Sequence, residues 1–215
     1  MTLPRHCAAA RCQRLGIIRP VNIGIALFAD AEELDFAGPW EVLAFWARGW
    51  PGDGVTVFTV AEDLEPVRCA KGLRVLPDHT WQEAPSLDVL VYPGGRGTRA
   101  QLEPADPIHA RLRALAAAGT LMTSVCTGSL VFAAAGLLHH RSATTHWGSL
   151  ERLAELDPSI DVRPEDRFVG DGAIITAAGV SAGIDMALYL VARLHSTDRA
   201  IEVRRGIQYD PEPPV

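Results

Sequence analysis

The sequence predicts an α/β protein with one mainly parallel sheet and helices on both of its faces. Short, continuously apolar segments rich in β-branched residues alternate along the chain with segments of helical character. Strands that are apolar along their whole length are typical of sheets covered on both sides. Because crossover connections are right-handed, this order favours a flavodoxin-like, doubly wound layer.

The first half of the chain contains three predicted strands and two predicted helices. A hairpin-like excursion around Gly72 separates the second strand from the third. Pro39 is tolerated early in the first helix, and Gly119 stops the second. The predicted strands cover residues 21–28, 54–62 and 87–92, the excursion covers residues 68–80, and the helices begin at residue 38 and cover residues 106–118.

The second half continues the alternation. A buried strand and a helix ending at Gly136 are followed by a short strand, a helix, and a hairpin around Asp171 and Gly172. Two helices then precede an extended, proline-rich end, and Ser181 is a plausible N-cap for the first of them. These elements cover residues 120–125, 127–135, 142–146, 147–156, 167–169, 173–177, 181–194 and 196–207.

Composition sets limits on the function. The chain has 215 residues, of which 48% are hydrophobic, so one domain over residues 21–215 can bury a sizeable core. A net charge of −6 without a dense Lys/Arg cluster argues against a nucleic-acid or membrane-surface partner. No apolar segment has the length of a transmembrane helix. We therefore expect a cytoplasmic protein that acts on a small-molecule substrate.

The first 20 residues differ from the rest. They contain four arginines, and the first acidic residue of the chain is Asp30. They lack the apolar segment of a secretory signal, and although an arginine-rich start resembles a transit peptide, we favour a disordered or mis-assigned extension over residues 1–20. The four cysteines show no C-x-x-C spacing, so no disulfide and no metal site are expected.

Cys126 is the most informative residue. It lies between a buried strand and a helix, where Gly128 and Ser129 keep the turn small. This arrangement resembles a nucleophile elbow, with C-x-G in place of G-x-S-x-G. A thiol at a helix start feels the positive end of the helix dipole, so we expect its thiolate to be favoured. An inert buried cysteine is the alternative.

Two other features follow strands of the same sheet and are expected to converge on Cys126. Gly94 and Gly95 end a strand, so their N–H groups, with that of Thr127, could bind an oxyanion or a substrate anion. Asp35 follows the first strand. It is either a stabilising acid at a helix start or a proton carrier whose pKa burial would raise.

His146 is the histidine best placed to act as a base for Cys126. A structural role for this residue is an equally good interpretation. No dinucleotide-binding or Walker A motif occurs, so nucleotide binding has no support.

These motifs together resemble the ThiJ/PfpI superfamily, which has a class I glutamine amidotransferase-like fold, and within it the isonitrile hydratases. The resemblance covers roughly residues 21–214. It rests on segments in the same order: residues 34–39 (LDFAGP), 92–95 (YPGG), 124–130 (SVCTGSL), 133–138 (AAAGLL), 141–147 (RSATTHW), 178–185 (AGVSAGID) and 208–214 (QYDPEPP).

The resemblance implies a cofactor-free homodimer with hydratase activity of the carbon–nitrogen lyase type. Cys126 would attack the isonitrile carbon, and Asp35 would supply a proton before water releases an N-substituted formamide. Thr127 would position the acid or the intermediate, Gly95 and the Thr127 N–H would hold developing charge, and His146 would be a neighbour rather than the base.

Departures from the superfamily pattern narrow the choice. Proteases and deglycases of the superfamily usually carry His directly after the Cys and use Glu as the acid, whereas this chain has Thr127 and Asp35. The same motifs occur in the ligand-sensing domains of AraC-type transcription regulators, so a stand-alone ligand sensor is an alternative. A redox-sensing thiol is another, since an exposed cysteine of low pKa oxidises readily.

Overall fold

The structure is a computed structural model that describes residues 20–212. The extension predicted over residues 1–20 therefore lies outside the described residues, apart from Pro20. The strands are β1 (Val21–Ala26), β2 (Val55–Ala61), β3 (Val67–Arg68), β4 (Arg74–Val75), β5 (His79–Thr80), β6 (Val89–Tyr92), β7 (Leu121–Val125), β8 (Ser142–Ala143), β9 (Asp161–Val162), β10 (Phe168–Asp171) and β11 (Ile174–Ala177).

Six α-helices accompany these strands in the described part of the chain. They are α1 (Glu33–Gly49), α2 (Pro107–Ala118), α3 (Gly128–Ala134), α4 (Leu150–Leu156), α5 (Ala182–Leu194) and α6 (Thr197–Gly206). Short 3₁₀ segments cover Pro51–Asp53, Arg96–Leu102 and Trp147–Ser149. Within residues 20–212, no helix combines the length and the apolar character needed to cross a bilayer.

The central sheet has the order β10-β11-β7-β6-β1-β2-β5. Its strands are parallel except for β10, which pairs antiparallel with β11 at one edge. This arrangement confirms the predicted fold class. The chain passes from β1 to β2 on one side and reaches β6 on the other, and ligands of such sheets bind outside the carboxyl ends of the strands at this point of reversal.

Both faces of the sheet are buried, as the continuously apolar strands predicted. Along β6, Val89 and Val91 pack with α1, α5 and α6, whereas Leu90 and Tyr92 pack with α2, α3 and α4. This alternation is the two-residue period of a strand, with apolar side chains on both sides.

Two boundaries differ from prediction in ways that matter for the site. The first helix begins at Glu33 rather than Gly38, so Pro39 lies inside it and Asp35 belongs to its first turn. The strand predicted over residues 142–146 ends at Ala143. It ends early because the Thr144 N–H donates to Thr176 Oγ1 (2.9 Å), which takes residue 144 out of strand pairing.

Candidate active site

Cys126 occupies the predicted turn between β7 and α3. Its φ is +55°, in the left-handed region that non-glycine residues rarely adopt. Its N–H donates to the carbonyls of Ala177 (3.1 Å) and Ala178 (3.0 Å), and its carbonyl accepts from Thr145 Oγ1 (2.9 Å) and Ser129 Oγ (3.1 Å). These bonds hold the strained backbone and fix the direction of the thiol.

Asp35 is fully buried in the first turn of α1. Its Oδ2 accepts from the Gly94 N–H at 2.9 Å. Its Oδ1 has no hydrogen-bond partner within residues 20–212, and the carboxyl as a whole interacts with the Cys126 thiol. Burial, helped by the charge of Glu32, raises the pKa of Asp35 to about 7 against the opposing bond from Gly94. The carboxyl is therefore suited to exchange a proton near neutral pH.

The Cys126 thiol is 6% exposed. Burial and the neighbouring charge of Asp35 raise its pKa to about 12, while the N–H groups of Thr127 and Val180 and the Thr127 hydroxyl act in the opposite direction. The predicted preference for thiolate is therefore wrong for this structure. The helix after the thiol has only seven residues, and desolvation beside a carboxylate outweighs its dipole.

Gly94 and Gly95 lie beside Asp35 and Thr127, and their N–H groups are engaged within the protein. Gly94 donates to Asp35, and Gly95 donates to Thr127 Oγ1 at 2.9 Å. The role predicted for these N–H groups requires them to be free to bind an anion. In this arrangement they instead fix the acid and the threonine.

Thr127 is held by a partner that sequence reasoning missed. The buried Thr98 hydroxyl donates to the Gly95 carbonyl at 2.8 Å and lies 3.1 Å from Thr127 Oγ1. The signal for Thr98 in the sequence is weak, because it lies in the polar segment after Gly95 that resembles any surface loop.

Sequence reasoning also missed Val180, which is a direct neighbour of the Cys126 sulfur. Its φ is +48°, which is unusual for a β-branched residue. It lies in the turn between β11 and α5, and its N–H interacts with the Cys126 sulfur. In the sequence Val180 is only one residue of the AGVSAGID segment, with nothing to mark it as a neighbour of the thiol.

His146 lies beside this turn rather than at the sulfur. Its Nδ1 accepts from the Gly148 N–H at 3.1 Å, and no hydrogen bond joins its ring to Cys126 within residues 20–212. A Cβ on Gly179 would lie 2.5 Å from His146 Cδ2, so the ring packs directly on the turn. This position supports a structural role for His146 over that of a base.

The fold and the Cys126–Asp35 pair define a class of protein, and comparison with known proteins identifies it. Residues 21–193 match the DJ-1/PfpI family, and the chain belongs to that family. The chain is 40% identical to isonitrile hydratase from Pseudomonas putida over 195 residues, which are 90% of this chain and 81% of that protein.

Two further similarities bear on the alternatives. The HTH-type transcriptional regulator CdhR of Pseudomonas aeruginosa is 34% identical over 144 residues, which are 67% of this chain and 42% of the regulator. The crystal structure of a ThiJ/PfpI family protein from Pseudomonas syringae superposes with a TM-score of 0.80 at 34% identity, covering 92% of this chain and 78% of that one. The family therefore includes both enzymes and transcription regulators.

Proposed function

We propose that this chain is a cysteine-dependent hydratase that converts an isonitrile into an N-substituted formamide. The observation that carries the proposal is the pairing of the buried Cys126 thiol with the buried Asp35 carboxyl, whose pKa is raised to about 7. The 40% identity to isonitrile hydratase over most of both chains supports the same reaction class.

Cys126 and Asp35 together carry the one proton that the first step needs. A terminal isonitrile carbon must gain one sulfur and one proton. The S–H bond of Cys126 breaks, an S–C bond forms, and the proton passes through Asp35 to the same carbon, giving a thioimidate with a C=N bond. One proton on the pair is sufficient, and Asp35 accepts it from the thiol as the S–C bond forms, so no free thiolate has to precede the attack.

The second step regenerates the pair. Asp35 removes one proton from water as the water oxygen adds to the thioimidate carbon, and it passes that proton to the nitrogen as the C=N bond becomes single. The C–S bond then breaks while the C–O bond becomes double, and the hydroxyl proton passes through Asp35 to Cys126 as the formamide leaves. The sum of both steps is the addition of one water to the isonitrile, without a cofactor.

The surrounding groups support these steps. Gly94 holds Asp35 through Oδ2 and leaves Oδ1 without a hydrogen-bond partner, so that this oxygen can accept or give a proton. Thr127, fixed by Gly95 and Thr98, adds its hydroxyl and N–H near the sulfur, and the Val180 N–H adds a third donor. Donors that lower the pKa of the thiol stabilise the sulfur when it leaves in the second step.

A ligand-sensing domain is the second candidate, favoured by the 34% identity to the regulator CdhR over two thirds of this chain. In a sensor the site around Cys126 would bind a metabolite without turnover. The redox alternative depended on an exposed thiol of low pKa, whereas Cys126 is buried and its pKa is raised.

Turnover of a simple alkyl or aryl isonitrile, followed as formamide, tests the proposal. Cys126→Ala should abolish turnover while leaving the fold intact. Cys69→Ala is the matched control, since Cys69 is also a free and buried cysteine but lies at the end of β3. Turnover that survives in Cys126→Ala contradicts the mechanism. No turnover in the unaltered protein, with isonitrile or metabolite binding retained, would favour the sensor.

A homodimer, a cytoplasmic location and the lack of nucleic-acid or membrane partners stay predictions. Light scattering coupled to size-exclusion chromatography tests the first of these, with a mass of twice 23.2 kDa as the expected result.

A further inference from the structure

A polar network behind the active site joins three segments that are distant in sequence. Arg167 Nε donates to Asp185 Oδ2 at 2.9 Å, and Tyr209 Oη donates to Asp185 Oδ1 at 3.0 Å. Arg167 also reaches Ser181 Oγ at 3.4 Å through Nη2. Asp185 lies in the first turn of α5, and Tyr209 belongs to the QYDPEPP segment, for which the proposed chemistry assigns no role.

The network holds both ends of the turn that approaches the sulfur. Before the turn, the Arg167 carbonyl accepts from the Ala178 N–H at 2.9 Å, and the Ala178 carbonyl accepts from the Cys126 N–H at 3.0 Å. After the turn, the Arg167 side chain bonds Ser181 and Asp185. Val180, with its φ of +48°, lies between these two attachments.

A β-branched residue keeps such a backbone conformation only where its surroundings impose it. Backbone bonds fix residue 178 and the elbow, and they join the start of α5 to the turn, where the Ala182 N–H donates to the Gly179 carbonyl at 3.2 Å and the Gly183 N–H to the Val180 carbonyl at 3.4 Å. The Arg167 side chain adds a second attachment of this helix start. Asp185 is 24% exposed and Arg167 is 53% exposed, so this part of the restraint rests on a few partly solvated bonds. Tyr209 adds a bond from the C-terminal segment to the carboxylate oxygen that Arg167 Nε leaves free.

We propose that Arg167, Asp185 and Tyr209 form a positioning group that holds the Val180 N–H against the Cys126 sulfur. The three residues act through the turn and touch neither the substrate nor the sulfur. The kinetic consequence rests on the proposed hydratase function, whereas the structural consequence does not.

The direct test is hydrogen exchange of the Val180 amide, followed by NMR on the full chain. In Asp185→Asn and Arg167→Gln we expect exchange at least about tenfold faster than in the unaltered protein, with a smaller increase in Tyr209→Phe. Arg163→Gln is the matched control. Arg163 is 52% exposed and pairs with Asp161 and Asp166 rather than with α5, so its replacement should leave Val180 unchanged.

Activity gives a second readout that a purely structural role would not move. With an isonitrile substrate, Arg167→Gln and Asp185→Asn should lower kcat by about three- to tenfold and leave KM within about twofold, since the donor acts on the sulfur. Arg167→Lys keeps a charge near Asp185 and should recover part of kcat.

The outcomes separate the two proposals. Val180 exchange within about twofold of the unaltered protein in a folded Asp185→Asn would overturn the positioning group, as would an equal increase in Arg163→Gln. If Asp185→Asn and Arg167→Gln do not fold, Tyr209→Phe, which removes one hydroxyl, is measured instead. Val180 exchange that is no faster in this variant than in the unaltered protein would overturn the positioning group. If the unaltered protein turns over no isonitrile, the hydratase proposal fails, and the exchange result still decides this one.

Discussion

Asp35 and Asp185 occupy the same local position in two helices that pack against each other. Each lies in the first turn of its helix, α1 or α5, where an acidic residue is ordinarily a favourable partner for the helix dipole. Their surroundings differ. Asp35 is fully buried, with one oxygen bonded to the Gly94 N–H, whereas Asp185 is partly exposed and bonded to Arg167 and Tyr209.

The difference shows that local sequence does not decide what a carboxyl does. Both residues would be described alike from the chain, as acids at helix starts. Tertiary contacts give Asp185 a cationic partner and a phenol, which suit a charged, structural role. They bury Asp35 beside a thiol, and the burial raises its pKa to about 7 although the bond with the thiol lowers it, which suits proton transfer.

Replacing each carboxyl by its amide should give the largest difference in activity between the two positions. Asp35→Asn keeps an oxygen for the Gly94 N–H but cannot carry the proton, so we expect a loss of about a thousandfold in kcat with an isonitrile substrate. Asp185→Asn should lose at most about tenfold. Steady-state kinetics checks both, and a similar loss in the two variants would contradict the division of roles.

Stability against pH should separate the two acids as well. The pKa of Asp35 is higher folded than unfolded, so its ionisation costs stability as pH rises from about 4 to about 7. Asp35→Asn removes this cost. It should therefore be more stable than the unaltered protein at pH 8, by up to about 4 kcal/mol, with no such gain near pH 4.

Urea unfolding at the two pH values measures this effect. Groups that face Asp35 and can change the result are Glu32, Lys71 and Cys126, and they are left unaltered in the variant. An equal difference in the free energy of unfolding at pH 4 and at pH 8 would contradict the assignment.

A substitution at Gly94 should disturb the surroundings of Asp35 and leave those of Asp185 unchanged. A Cβ at this position would lie 2.5 Å from the Thr127 nitrogen and 2.9 Å from Asp35 Oδ2. Gly94→Ala should therefore destabilise the protein by about 1–3 kcal/mol and lower turnover. Gly52→Ala is the control, since a Cβ there meets nothing within 4 Å. Equal unfolding midpoints in the two variants would show that the contact is not tight.

The smallest expected effect concerns Lys71, which pairs with Glu32 and Glu33 at the start of α1. Its charge lowers the pKa of Asp35, so Lys71→Gln should raise that pKa. We expect kcat/KM to fall toward low pH as Asp35 becomes protonated. In Lys71→Gln this fall should move to higher pH by less than about half a pH unit, because Lys71 is 67% exposed and its charge is screened. A move to lower pH would contradict this electrostatic link.

The fold and part of the site follow from the sequence. Continuous apolar strands and glycine stops predict the parallel sheet, and the turn at Cys126 follows from the strand before it and the Thr-Gly-Ser after it. The prediction starts the first helix at residue 38 because proline is typical of a first turn, whereas the helix begins five residues earlier, at Glu33. Strand order then brings Asp35, Gly94 and Cys126 to one edge.

The remainder of the site depends on contacts between distant segments. The raised pKa of Cys126 arises from burial and from a carboxyl 91 positions earlier in the chain, and neither is visible in the residues around the thiol. The contact of Thr98 with Thr127 is likewise not visible in the residues around either of them. Nor does the sequence indicate the positive φ of Val180, because β-branched residues rarely adopt it.

The close packing of Gly179 on His146 has a consequence for comparing sequences in the family. A Cβ at position 179 would lie 2.5 Å from His146 Cδ2, so the two positions share one volume. A homologue with a larger residue at the first position must have a smaller ring or none at the second, or move the turn that approaches the thiol. The two positions should therefore vary together, although they are 33 residues apart in the sequence.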